Sequence, residues 1–146
     1  MKIPNFLPSE VPLTWAVCFH EKCPLRKTCL RYVAGQVKAA EFNHGPAVYP
    51  SALTGDKCEL FHPIRVIQAA WGFRSLFRDV RHKDYASLRS EVRGMFGSDR
   101  NFYRYNSGRY IVTPEKQAKV LEAFARRGYD TKNLRFDHYR EQVDFS

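Results

Sequence analysis

The chain reads as an α+β protein, mostly helical, with a small metal-stapled N-terminal module packed on a helix-helix-hairpin-helix, winged-helix-like unit. Three observations predict this. All four cysteines, Cys18, Cys23, Cys29 and Cys58, fall before residue 63. From Pro63 onward, apolar residues recur mostly at helical spacing. Two aromatic runs then flank an Asn-Ser-Gly step, the signal of a β-hairpin. With 146 residues, 44% of them apolar, the chain can build a real core. The expected division is a cysteine-rich, metal-binding module over residues 1–62 and a basic helical unit over residues 63–146.

Each element has its own reason. Pro4, Pro8 and Pro12 block helix, so residues 1–14 are expected to be extended. Pro24 suits the first turn of a helix whose N-cap is Cys23. Leu25, Cys29, Leu30 and Val33 then share one face, and Gly35 closes it. The stretch NHGPAVYPSALTGDK is turn-rich and irregular. In PIRVIQAAWGFRSLFRDV, Ile64, Ile67, Trp71 and Leu76 form a stripe, predicting a buried helix with Arg65, Arg74 and Arg78 at its margin. A second helix follows, capped by Asp84 and ended by Gly97. NFYRY-NSG-RYIV is the predicted hairpin. TPEKQAKVLEAFARRGY is the clearest helix: Thr113 caps it, Pro114 takes its first position and Gly128 ends it. A short helix is expected near residues 137–143.

The cysteines follow C-x4-C-x5-C, then twenty-eight residues, then the last cysteine. Four thiolates satisfy a tetrahedral structural zinc, which leaves no open position for catalysis. An iron–sulfur cluster is the alternative, because it tolerates wider gaps. His20 and His62 lie close in sequence to Cys18 and Cys58, so a mixed Cys/His set stays open. Metal-free thiols or disulfides stay open too. The start of the chain lacks the basic region and apolar run of a secretory signal, and no stretch approaches membrane-spanning length. A cytoplasmic protein without membrane contact is therefore expected, where reduced thiols favour metal over disulfides.

The formal net charge is +9. Between Ile64 and Val112 ten basic residues meet four acidic ones, so most of the surplus sits there. Such a surplus attracts polyanions. In the predicted arrangement Arg89 and Arg93 share the exposed face of the second helix, and Arg104 and Arg109 flank the hairpin turn. These arginines would contact phosphates, while Tyr103 and Tyr105, on one strand face, stack on bases. No phosphate loop, GxSxG elbow or HExxH motif is present, and the five histidines are scattered. His20-Glu21-Lys22-Cys23-Pro24 lacks the spacing of a zinc deaminase. No catalytic residues are therefore assigned. The expected function is a non-enzymatic binding protein acting on nucleic acid or a nucleoprotein complex. The alternatives are a protein–protein adaptor docked on an acidic protein surface, or an iron–sulfur redox or sensing protein.

The blocks WAVCFHEKCPLRKTCLR, VYPSALTGDKCELFHP and FGSDRNFYRYNSGRYIVTPEKQAKVLEAFARRGYD resemble an uncharacterised bacterial family of unknown function. The resemblance covers nearly the whole chain. It implies that the cysteine segment and the helical part travel together, and it supplies no activity, ligand or catalytic residue.

Overall fold

The computed structural model describes residues 5–146. The extended reading of residues 1–4 lies outside them. Backbone contacts divide the chain into two units: one runs up to Val66 and regains Val143–Ser146, the other is Ile67–Gln142.

The first unit is built from short pieces. Pro8 opens a single 3-10 turn, Pro8–Glu10, where extended chain was expected. Residues 24–28 are turns, stabilised by Arg26 N–H donating to Cys23 O and Thr28 N–H to Leu25 O. The predicted helix start at Pro24 is thus displaced. Cys29 is extended and bridges Pro63, and only then does helix α1, Leu30–Ala39, begin. Leu30, Val33 and Ala34 form its inner face. Gly35 does not end this helix. A Cβ there would lie 2.5 Å from the Cys18 carbonyl oxygen, so glycine permits the backbone of the Cys18 loop to approach. After a 3-10 turn at Pro50–Ala52, strands β1 (Leu53–Thr54) and β2 (Lys57–Cys58) pair antiparallel, with Leu53 opposite Cys58. The core gathers Phe6, Val11, Val17, Leu30 and Val33 around Val143, with Trp15 and Phe145 packed at its edge. Phe145 meets Phe6 and Trp15 edge-on, with ring centroids at 5.5 and 5.1 Å.

The second unit corrects several sequence expectations. The predicted buried helix after Pro63 is strand β3, Val66–Trp71, followed by one helical turn, α2, Arg74–Phe77. Ala70 exchanges backbone hydrogen bonds with Val112 at 3.1 and 2.7 Å, and this long-range pairing outweighs local helix preference. The predicted C-terminal helix is strand β4, His138–Val143, paired with β3. The predicted second helix is α3, His82–Gly94, starting after Arg81 rather than at an Asp84 cap.

The predicted hairpin is helix α4, Asp99–Ser107. Ser98 caps it by accepting the Asn101 N–H at 3.2 Å. Gly108, at φ 86°, is its left-handed C-cap. Asn-Ser-Gly is therefore a helix ending, and the proposed wing has no strand in residues 99–107. The clearest predicted helix is present as α5, Pro114–Arg126, with Thr113 at the N-cap and Pro114 at the first position.

The core of this unit is aromatic. Phe73 stacks on Phe102 at 4.7 Å and tilts against Phe96 at 5.4 Å. Phe124, Leu76, Leu88 and Val120 are fully buried around it. On the rim, Glu91 of α3 accepts hydrogen bonds from both Arg126 and Arg127 at the end of α5. The described residues form an α+β fold with five helices and two small antiparallel sheets.

Candidate functional site

Three helices of the second unit enclose a groove of about 330 Å³. Its apolar surface comes from Phe73 just before α2, Phe77 at the end of α2 and Phe102 of α4. Tyr85 of α3 and Tyr103 of α4 form exposed aromatic rims, Tyr103 being 74% exposed. Asn106 lies at one end, where its side-chain oxygen accepts the Phe73 N–H at 3.0 Å.

Three arginines line the same groove. Arg74 and Arg78 lie four residues apart, Arg74 opening α2 and Arg78 just past its end. Among the described residues, neither guanidinium has a hydrogen-bond or ion-pair partner. Arg89 is half-buried: its guanidinium sits 5.6 Å over the Phe102 ring and donates to the Tyr85 hydroxyl at 3.3 Å. No acidic side chain lines the groove. Aromatic faces with unpaired guanidinium groups suit a ligand that carries both a flat ring and an anion.

Asp137 sets the pose of this wall. Its carboxylate accepts the backbone N–H of Ser75 at 2.7 Å and of Arg74 at 3.2 Å. Burial pushes its pKa up, but the Ser75 hydroxyl and the Ser75 and Arg74 N–H groups outweigh this and hold it below the usual range. A second, open hollow shares Arg74 and Arg78 and adds Ser75, Asp137 and His138. There His138 stacks on Trp71 at 5.1 Å, with Arg140 5.8 Å from the indole.

In the first unit, all four cysteines line one small cavity of about 20 Å³. Cys23 and Cys29 are buried, Cys18 and Cys58 half-buried, and all four are free thiols. Arg31 of α1 brackets the site. It donates to Ala16 O and Leu60 O, both at 2.7 Å, and lies 4.4 Å over the Trp15 ring. Segments from before Cys18 and after Cys58 are thereby tied to one side chain. The four residues border one cavity, yet among the described residues no three Cys, His, Asp or Glu side chains are arranged to hold a metal ion. Neither His20 nor His62 lines the cavity. The ring nitrogens of His62 instead lie 3.0 and 2.9 Å from the carbonyl oxygens of Pro63 and Ser146.

A profile described as a family of unknown function, DUF6078, matches residues 1–145. The chain belongs to the DUF6078 family. The match spans both units, cysteines included. No curated protein and no solved structure matches the chain. No helix of this DUF6078 chain is long and apolar enough to cross a membrane, among the described residues.

Of the six predicted contact residues, the fold brings Arg89 and Tyr103 together in the groove. The others are placed elsewhere. Arg93 pairs with Asp99 at 3.3 Å. Arg104 donates to the Tyr110 hydroxyl at 2.8 Å. Arg109 is exposed beyond the α4 cap. Tyr105 packs on Phe96 at 4.5 Å and accepts from Lys116 at 2.8 Å. In a strand Tyr103 and Tyr105 would share a face; in a helix, two positions place them on opposite sides. Arg74 and Arg78 also line the groove, and sequence reasoning places them at the margin of a buried helix. Their four-residue spacing within a basic segment was the available signal.

Proposed function

We propose that this DUF6078 chain is a binding protein for nucleic acid or a nucleoprotein complex, and that its contact surface is the arginine–aromatic groove of the second unit. The supporting observation is the groove itself: Arg74, Arg78 and Arg89 beside Tyr85 and Tyr103, with no acidic side chain in the lining. An uncompensated pair such as Arg74 and Arg78 is available to phosphate oxygens without first breaking an internal ion pair. The surplus positive charge of the chain adds long-range attraction.

Titration of labelled oligonucleotides at several salt concentrations tests this. Affinity should fall steeply with salt, and the Arg74→Gln/Arg78→Gln double variant should flatten the logarithmic slope by about 1 to 2 units. Salt-independent binding, or a double variant indistinguishable from the parent, would remove the groove from the contact surface. An adaptor function requires instead a defined protein partner that survives nuclease treatment.

The same proposal gives the first unit a structural zinc held by Cys18, Cys23, Cys29 and Cys58. Its support is that three cysteines of one short segment and a fourth, Cys58, from a distant one border the same cavity. At about 20 Å³ the space compares with the ~10–15 Å³ that admits one water, the scale of an ion rather than of an iron–sulfur cluster. Ligation then requires the four thiols to turn onto a common centre. Elemental analysis of untagged protein should find about one zinc per chain in a colourless sample, as a four-thiolate site requires. Visible absorbance with iron would favour the cluster. Four freely titrating thiols in metal-free, folded protein would reject both metals.

A further inference from the structure

Resting on the nucleic-acid reading above, we infer that the groove takes a single strand. One unstacked base enters between the aromatic rims, and the adjoining phosphate lies on Arg74 and Arg78. Four observations converge on this ligand.

The first is size. A volume of about 330 Å³ lies at the lower end of the ~300–1,000 Å³ range of small-ligand pockets, suited to one nucleotide. A duplex presents stacked bases by their edges, so no ring of an intact duplex can enter. The second is the nature of the walls. Tyr103 is 74% exposed and Tyr85 40%, so these two rims offer open ring surface, while Phe77 and Phe102 line the groove as buried residues. Aromatic faces of this kind bind any base by its flat side.

The third is the state of α3. A helix that reads duplex DNA projects a row of uncommitted side chains into the major groove. Here Arg89 leans over Phe102 and bonds to Tyr85, while Arg93 is paired with Asp99. The two arginines best placed for that task are engaged. The fourth is polarity. Arg74 and Arg78, whose guanidinium groups lack partners among the described residues, line the groove and also line the second hollow, which includes His138. Asp137 borders that hollow, but its carboxylate is occupied by backbone N–H groups. Asn106 spends its oxygen on Phe73, so its amide NH2 is the group left to donate to a base edge.

Fluorescence anisotropy decides the matter with three probes of about 12 nucleotides, within the usual ~4–16 nucleotide site range: single-stranded DNA, single-stranded RNA and a matching DNA duplex. At least one single strand should bind roughly tenfold or more tightly than the duplex. Tyr103→Ala should cost about tenfold on that single strand and leave duplex binding unchanged, since stacking contributes only there. Tyr103 is exposed, so its removal does not threaten the fold, and an unchanged circular dichroism melt confirms this. Duplex binding as tight as single-strand binding, or single-strand affinity indifferent to Tyr103→Ala, overturns the inference. Salt-dependent contact through Arg74 and Arg78 would survive either result. Absence of binding to all three probes overturns that wider proposal too.

Discussion

Phe124→Ala is expected to lower the unfolding free energy of the second unit by about 3–5 kcal/mol. Phe124 is fully buried on α5, a helix in contact with α3. Its ring lies 5.3 Å from Phe77 and 6.1 Å from Tyr129. Truncation removes the transfer energy of the ring and leaves a void between two helices. Neither helix can close it freely, because Glu91 of α3 is tied to Arg126 and Arg127 of α5. The loss also reaches the groove, since Phe77 is one of its walls. Urea unfolding gives the comparison, with Tyr103→Ala as the exposed control, expected within about 0.5 kcal/mol of the parent. A Phe124→Ala cost below about 1 kcal/mol would contradict an aromatic core at this position.

Asp137→Ala removes the acceptor shared by Arg74 and Ser75. Each N–H left without a partner costs about 1–3 kcal/mol where it stays dry, and less where water replaces the carboxylate. The first turn of α2 loosens, and Arg74 and Arg78 lose their fixed placement. Weaker oligonucleotide binding should therefore accompany the lost stability, although the substitution deletes a negative charge. Simple charge arithmetic predicts the opposite sign for binding, which makes the result diagnostic. The effect must also depend on pH. The folded pKa of Asp137 is depressed, so its stabilisation is full above the ordinary carboxylate value, 3.8, and is lost as pH falls through the folded value. Thermal melts should show a gap between parent and variant that is wide at neutral pH and narrows in acid. Glu91, held low chiefly by the Arg127 hydrogen bond, and Asp84, held low chiefly by the Tyr129 hydroxyl, add to the acid sensitivity of the parent. A gap that stays constant below pH 4 would mean the carboxylate charge is not what holds α2.

Local chemistry made some elements legible. Thr113-Pro114-Glu115 followed by Gly128 marks both ends of α5, and the three- and four-residue steps of Tyr85, Leu88 and Val92 mark α3. Other elements depend on distant partners. VIQAAW is short, apolar and alanine-containing, so its spacing fits helix or strand. Its pairing with Val112 and β4 decides the outcome, and nothing nearby in sequence announces either partner. In RNFYRYNSGRY the Asn-Ser-Gly step has two meanings, hairpin turn and helix ending. Phe102 and Tyr105, three residues apart, pack inward together, and that favours the helix. The groove was legible only in part for the same reason. Basic and aromatic character is local, whereas the meeting of α2, α3 and α4 is tertiary.

The return of Val143–Ser146 to the first unit bears on biosynthesis. Val143 and Phe145 help fill a hydrophobic centre otherwise built from residues before position 65. On the ribosome the front of the chain therefore waits, its core incomplete, while 76 residues of the second unit emerge. The earlier segment is completed only by a later one, and a nascent chain halted near Gln142 would expose Phe6 and Trp15 to chaperones.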